Sequence, residues 1–156
     1  MAQLQNIDRR KLLLMGIAGA ACCAVRPRPS VAASTEIGPI HSVNGYKQAL
    51  ALAGWRNPFA IVDVGATWCQ FCKTLDERIF SDPRIEKMLT QIALLRVDVT
   101  AWDANDLALM NHLLVQGPPT VFVVETATGR EMNGTRSLGY FDVDNLAARL
   151  QPFLRS

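Results

Sequence analysis

Ala66-Thr67-Trp68-Cys69-Gln70-Phe71-Cys72-Lys73 follows directly on the run Phe59-Ala60-Ile61-Val62-Asp63-Val64, apolar except for Asp63. A short, almost wholly apolar run reads as a strand buried on both faces. The two thiols therefore sit where a strand hands over to a helix. At a helix start the first cysteine lies beside unpaired backbone N–H groups and the positive end of the helix dipole, which favours its thiolate. The second, one turn further in, is close enough to close a disulfide and release what the first has captured. On this reading Cys69 attacks and Cys72 resolves. The competing reading is a zinc site, but such sites usually need a second pair of Cys or His ligands at matching spacing. No such pair follows, and His41 and His112 stand alone.

The N-terminal segment supplies the compartment. Asp8-Arg9-Arg10-Lys11 precedes an apolar run from Leu12 to Val25, then Arg26-Pro27-Arg28-Pro29-Ser30-Val31-Ala32-Ala33. These are the three parts of an export signal, with small residues near position 33 for cleavage. Paired arginines followed by Leu12-Leu13 resemble a twin-arginine signal. The expected organisation is an export signal over residues 1–33 and a globular domain over 34–156, facing the periplasm. An uncleaved membrane anchor is the alternative. The chain carries sixteen Lys and Arg against fourteen Asp and Glu. Residues 1–33 hold five of the former and one of the latter, which leaves eleven against thirteen, a net charge near −2. That balance leaves no broad basic face for nucleic acid. Cys22 and Cys23 fall in the signal, so Cys69 and Cys72 are the domain's thiols. One close pair in an exported protein points to chemistry rather than stapling.

Beyond the thiols, Val43, Tyr46, Ala49-Leu50 and Ala53 recur at helical spacing and stop at Gly54. Cys72, Leu75, Ile79 and Phe80 continue a helix to Ser81-Asp82-Pro83, where Asp82 caps and Pro83 begins a new turn. Ile92 to Val99 reads as a second strand. Thr100 to Asp103 has capping-box spacing ahead of a helical face of Leu107, Met110, Leu113 and Leu114. Gly117-Pro118-Pro119 stops that helix, Thr120 to Val124 is a third strand, and Arg130 to Thr135 is expected to pair back after a turn at Ala127-Thr128-Gly129. A last helix starts at Asp142 and buries Leu146, Leu150 and Leu154. The expected fold class is α/β, with a central mixed four-stranded sheet flanked by helices.

This order, with Trp68-Cys69-Gln70-Phe71-Cys72-Lys73 after the strand and Pro119-Thr120 before the third, resembles the thioredoxin superfamily. Closer still, it resembles the C-terminal periplasmic domain of the DsbD family of thiol:disulfide interchange proteins. That likeness extends through Phe80-Ser81-Asp82-Pro83, Leu94-Leu95 with Asp98-Val99-Thr100, and Gly117 to Thr120, and covers about residues 37–154. It implies a thioredoxin-like fold, electron exchange with other thiol proteins, no dissociable cofactor beyond a redox-active Cys69–Cys72 disulfide, and a cis Pro119 against that disulfide. One departure matters. Position 118 is itself proline and offers an incoming strand only a carbonyl, so peptide docking is expected to be weaker or more selective.

Asp63, six residues before Cys69, matches the superfamily's buried acid, and Asp76 lies one helical turn after Cys72. A buried carboxylate has a raised pKa and takes the Cys72 proton during resolution. Negative charge nearby penalises the Cys69 thiolate, which favours an electron donor over an oxidant. Asp76 reads equally as a solvated helix residue. Trp68 shields the disulfide or simply packs, and Phe71, between the cysteines, is expected to be an exposed landing point for partners. Trp55 and Trp102 read as packing residues and Lys73 as solvated. The leading expectation is an exported protein-disulfide reductase acting on oxidised thiol proteins and fed by a membrane thiol-electron transporter. A disulfide oxidase or isomerase, and a chaperone holding a soft metal between the two thiols, are the competing classes.

Overall fold

The computed structural model describes residues 34–154. The expected export signal and its arginine pair lie outside the described residues. Five strands form one sheet: β1 (Glu36–Ile40), β2 (Phe59–Gly65), β3 (Ala93–Asp98), β4 (Thr120–Glu125) and β5 (Ser137–Leu138), in the spatial order β1-β3-β2-β4-β5. β1, β3 and β2 run parallel, and β4 and β5 join antiparallel. Among the described residues no helix is long and apolar enough to cross a membrane.

Alternation along β2 divides the core into two layers, because successive side chains of a strand leave on opposite faces. Val62 and Val64 pack with Leu95, Val97, Phe122 and Val124 beneath α1 (Val43–Gly54) and α4 (Ala104–His112). Ile61 packs with Leu94, Val121 and Val123 beneath α2 (Gln70–Leu75), α3 (Pro83–Leu89) and α5 (Val143–Leu150). Asp63 and Gly65 share the face of Ile61, and this puts a carboxylate on the side where α2 lies.

Capping residues set the helix starts. Ser42 accepts from the Gly45 N–H, Asp82 from that of Arg84 with Pro83 in the first turn, and Asp142 from that of Asn145. The helix that leaves the cysteines continues past Leu75 as a π-helical turn, Asp76–Phe80, before the break at Ser81.

Three local expectations change. The sheet gains β1, which Gly38-Pro39 made unlike a strand; Gly38 is required there, since a Cβ would lie 2.7 Å from the Arg96 Cβ and 2.8 Å from its carbonyl oxygen. The return after β4 is reduced to one bridge, Val124 with Glu131, and β5 comes later. Gly134 there adopts φ +76°, and the Thr135 hydroxyl, not a backbone carbonyl, accepts the Val123 N–H. Finally, Asp103 rather than Thr100 caps α4, by accepting from Asn105 and Asp106 N–H. The helix ends at His112, and its buried side is Asp106, Leu109 and Met110, with Leu113 following. Leu107 and Leu114 face solvent, Leu114 at φ +53°.

Candidate functional site: a helix-capping disulfide between an aromatic surface and a charged cleft

Cys69 is the residue that caps α2. Its backbone is extended at φ −84°, ψ 105°, and its Sγ accepts the Cys72 N–H at 3.1 Å. The two sulfurs are bonded to each other, with the Cα atoms 5.3 Å apart. Both cysteines are buried to a similar extent, so exposure does not rank them. The hydrogen bond does: negative charge on Cys69 would meet a backbone donor already aimed at it.

The approach to Cys69 is fastened to the end of β3. The Val99 N–H donates to the Gly65 carbonyl at 3.0 Å, the Thr67 N–H to the Thr100 hydroxyl at 2.9 Å, and the Trp68 indole N–H to the Thr100 carbonyl at 3.1 Å. The Thr100 hydroxyl in turn donates to the Asp98 carboxylate, which also accepts the Thr100 N–H. Trp68 then stands edge-on to Trp102, ring centroids 5.6 Å apart, and both are well exposed, at 56% and 45%. Trp102 is therefore outside the core: it packs edge-on against Trp68 at the surface and holds φ +51°, uncommon for a bulky side chain. Phe71 is 59% exposed, as its place between the cysteines suggests. Trp55, read as packing, faces solvent at the end of α1 and far along the chain from this loop.

On the other flank Cys72, Asp63, Asp76, Lys73, Asp98, Gly65, Glu36 and Arg96 line a cleft of about 500 Å³. Gly65 lines this cleft two residues after Asp63 on the same strand face, and a Cβ there would meet the Cys72 Cβ and Sγ at 3.9 Å, in ordinary van der Waals contact. Asp63 and Arg96 are directly opposite in the β2–β3 register. Arg96 Nη1 donates to Asp63 and to Asp76, each at 2.5 Å, and Nε donates to Glu36 at 3.2 Å. The guanidinium lies over the Phe80 ring, 4.6 Å from its centroid. Burial pushes the Asp63 carboxyl up from 3.8 to about 6, against the lowering pull of Arg96. For Arg96 burial acts to lower the value, but the Asp63 and Asp76 charges outweigh it, so the guanidinium is held above its ordinary value.

Pro119 is buried, the Pro118–Pro119 peptide is cis, and Pro118 is partly exposed. Because Thr120 pairs with Val64, the proline pair falls at the end of the sheet where β2 leads into the cysteines. The predicted site residues thus separate into an aromatic group near Cys69, a carboxylate group near Cys72 and a proline pair at the same sheet end. Two residues escaped the sequence reading: Trp102 and Arg96. The signal for Arg96 was present, since a lone cation between Leu95 and Val97 complements a lone acid in another apolar strand.

This architecture defines a thioredoxin-like protein. Residues 42–126 match the thioredoxin-like family model, and the chain belongs to that family. It is similar to the thiol:disulfide interchange protein DsbD of Salmonella typhi, 36% identical over 140 residues, which cover 84% of this chain and 24% of that protein. Against DsbD of Escherichia coli strain K12 the identity is 37% over 112 residues, covering 72% and 19%. The chain thus spans about a quarter of the length of the curated relatives it matches, or less. Among solved structures, the oxidised C-terminal domain of Neisseria meningitidis DsbD superposes with a TM-score of 0.64 at 24% identity, over 74% of this chain and 99% of that one. A thioredoxin from Thermus thermophilus gives 0.55 at 20% identity, over 72% and 83%. These two share the fold.

Proposed function

We propose that this chain is an exported thiol:disulfide reductase that passes electrons from Cys69 and Cys72 to disulfides of partner proteins in the periplasm. The single observation that carries the reading is the pairing of a Cys69 sulfur that accepts the helix N–H of Cys72 with a charged cleft at Cys72 itself. The similarity to DsbD supports the same direction of transfer.

In the reduced form the Cys69 thiolate attacks a partner disulfide, a Cys69–partner bond forms, and one partner sulfur leaves as thiolate. Asp63 takes the proton of the Cys72 thiol, and the resulting thiolate attacks the Cys69 sulfur. The Cys69–Cys72 bond closes and the second partner sulfur leaves, so the domain loses two electrons and the partner disulfide gains them. Trp68, Trp102, Phe71 and the Pro118 carbonyl form the surface that meets the partner. The disulfide itself is the electron carrier, so the cycle needs no dissociable cofactor. An external dithiol must reduce Cys69–Cys72 again, and a membrane thiol-electron transporter fits a domain placed outside the cytoplasm by residues 1–33.

Cys72→Ala removes the resolving thiol and should accumulate a mixed disulfide on Cys69, visible as a reducible adduct by mass spectrometry. Cys69→Ala should form none and reduce no protein disulfide above the buffer rate. Equal adduct formation by both variants would refute the assignment of roles.

A further inference from the structure

Trp68 and Trp102 meet at 69°, with ring centroids 5.6 Å apart, so their planes form two walls of a corner at the surface. Both rings stay well exposed, Trp68 with its indole N–H fixed on the Thr100 carbonyl and Trp102 on a left-handed backbone at φ +51°. A bulky residue keeps such a backbone mostly where its side chain must be presented in one place. Apolar area alone would accept almost any partner. The charge around this corner is more selective.

From Val97 to Gly129 the chain carries four acids, Asp98, Asp103, Asp106 and Glu125, and no lysine or arginine. Asp98 accepts from Thr100, and Asp103 accepts from the Asn105 and Asp106 N–H groups. Among the described residues neither carboxylate is ion-paired. His41 meets Asp98 only at its backbone carbonyl, at 3.2 Å. The start of α4 adds about half a positive charge, which Asp103 and Asp106, at its cap and in its first turn, outweigh. Lys73 lines the cleft on the other flank. An indole face attracts a cation through the ring quadrupole, and cages for ammonium groups are built from such aromatic walls.

We infer that the Trp68–Trp102 corner binds a lysine or arginine side chain flanking the partner's disulfide, so that the chain selects basic segments for reduction. The inference rests on the reductase reading above and names its substrate class. Trp68 directly precedes Cys69, the sulfur that bonds the partner. A disulfide holds its Cα atoms about 5–6 Å apart and an extended segment advances about 3.3 Å per residue. A long basic side chain within two or three residues of the partner's bonded cysteine therefore reaches both rings, and its stem covers their apolar surface. Glutamate in the same place meets the negative ring faces and the two aspartates, and is repelled.

Two synthetic peptides test this with the reduced full chain. Each is closed by one disulfide, and they differ only in two flanking residues, lysine in one and glutamate in the other. At low salt the KM of the lysine peptide should be about tenfold below that of the glutamate peptide. Trp102→Leu keeps an apolar side chain without the ring and should cut this ratio to about threefold. Asp103→Asn keeps a capping residue without the charge and should also lower the ratio and flatten its salt dependence. Glu86→Gln, an equal change of charge at an exposed position of α3, should leave the ratio unchanged. Equal KM values, a preference for glutamate, or a ratio untouched by Trp102→Leu would overturn the inference. Should that variant not fold, Asp103→Asn decides: a lowered ratio supports the inference and an unmoved one overturns it. Wild-type chain that reduces neither peptide would sink the reductase reading instead. The oxidised chain, titrated with the same peptides carrying serine for cysteine, then decides by NMR of the indole N–H groups. Shifts of Trp68 and Trp102 with the lysine peptide alone support the inference, and equal shifts or none overturn it.

Discussion

The two flanks of the disulfide differ in kind. Near Cys69 the surface is aromatic and exposed, with Trp68, Trp102 and Phe71 standing out of the fold. Beside Cys72 it is a cleft in which one guanidinium gathers three carboxylates. Exposed aromatic area serves recognition, since it is desolvated favourably by almost any partner. A charge cluster built on one buried carboxylate suits proton transfer, because the low dielectric around Asp63 makes its protonation state depend strongly on its neighbours. On the proposed mechanism, one turn of helix separates the sulfur that meets a partner from the sulfur that must lose a proton.

The sharpest way to break this division is to remove the acid. Asp63→Asn should slow resolution of the mixed disulfide at pH 7 by roughly 100-fold, the lower range for loss of a positioned base, while its first-step capture of partner stays near wild type. Stopped-flow trapping separates the two steps. A uniform slowing of both would erase the distinction between the flanks.

The same substitution has a stability signature with a definite sign. The folded value of Asp63, about 6, lies above the ordinary 3.8, so between those values the native state binds more protons than the unfolded chain. Stability from this group is therefore greatest at acid pH, falls as pH rises through that window, and is flat above it. The total is roughly 3 kcal/mol at about 1.4 kcal/mol per pH unit. Asp63→Asn should abolish that slope and melt higher than wild type at pH 8. Thermal melts from pH 4 to 8 check it, and a wild-type stability that instead rises across the window would contradict the buried-acid account.

On the aromatic flank smaller, differently shaped effects are expected. Trp102→Ala should raise KM for a protein disulfide about tenfold with kcat little changed, as expected for a contact that serves docking alone. A loss in kcat at constant KM would place Trp102 with the chemistry. Smallest is Pro118→Leu, which returns an N–H to the segment facing an incoming strand. One extra hydrogen bond, worth about 1 kcal/mol, should lengthen the half-life of the trapped complex several-fold. An unchanged half-life would show that this segment does not pair with the partner.

Much of the site was legible because local chemistry set it. Ser42, Asp82 and Asp142 cap as their residue types require, and the Cys69–Cys72 spacing placed both sulfurs at a helix start. What stayed hidden depends on distant pairing. Arg96 becomes a partner of Asp63 only when β2 and β3 align, a register no local pattern specifies. Trp102 was hidden differently: its exposure follows from a left-handed backbone after Thr100, whose side chain is spent on Asp98 and Thr67 instead of capping α4. β1 was invisible because Gly38 and Pro39 disfavour strands, although Gly38 is what permits close approach to Arg96.

The central claim is that Cys69 and Cys72 deliver electrons rather than collect them, and the equilibrium reduction potential of that pair tests it most directly. Titrated against a thiol buffer at pH 7, it should lie near the ~−270 mV of thioredoxin. A potential near the ~−120 mV of a strong oxidant would reverse the direction of transfer and contradict the account.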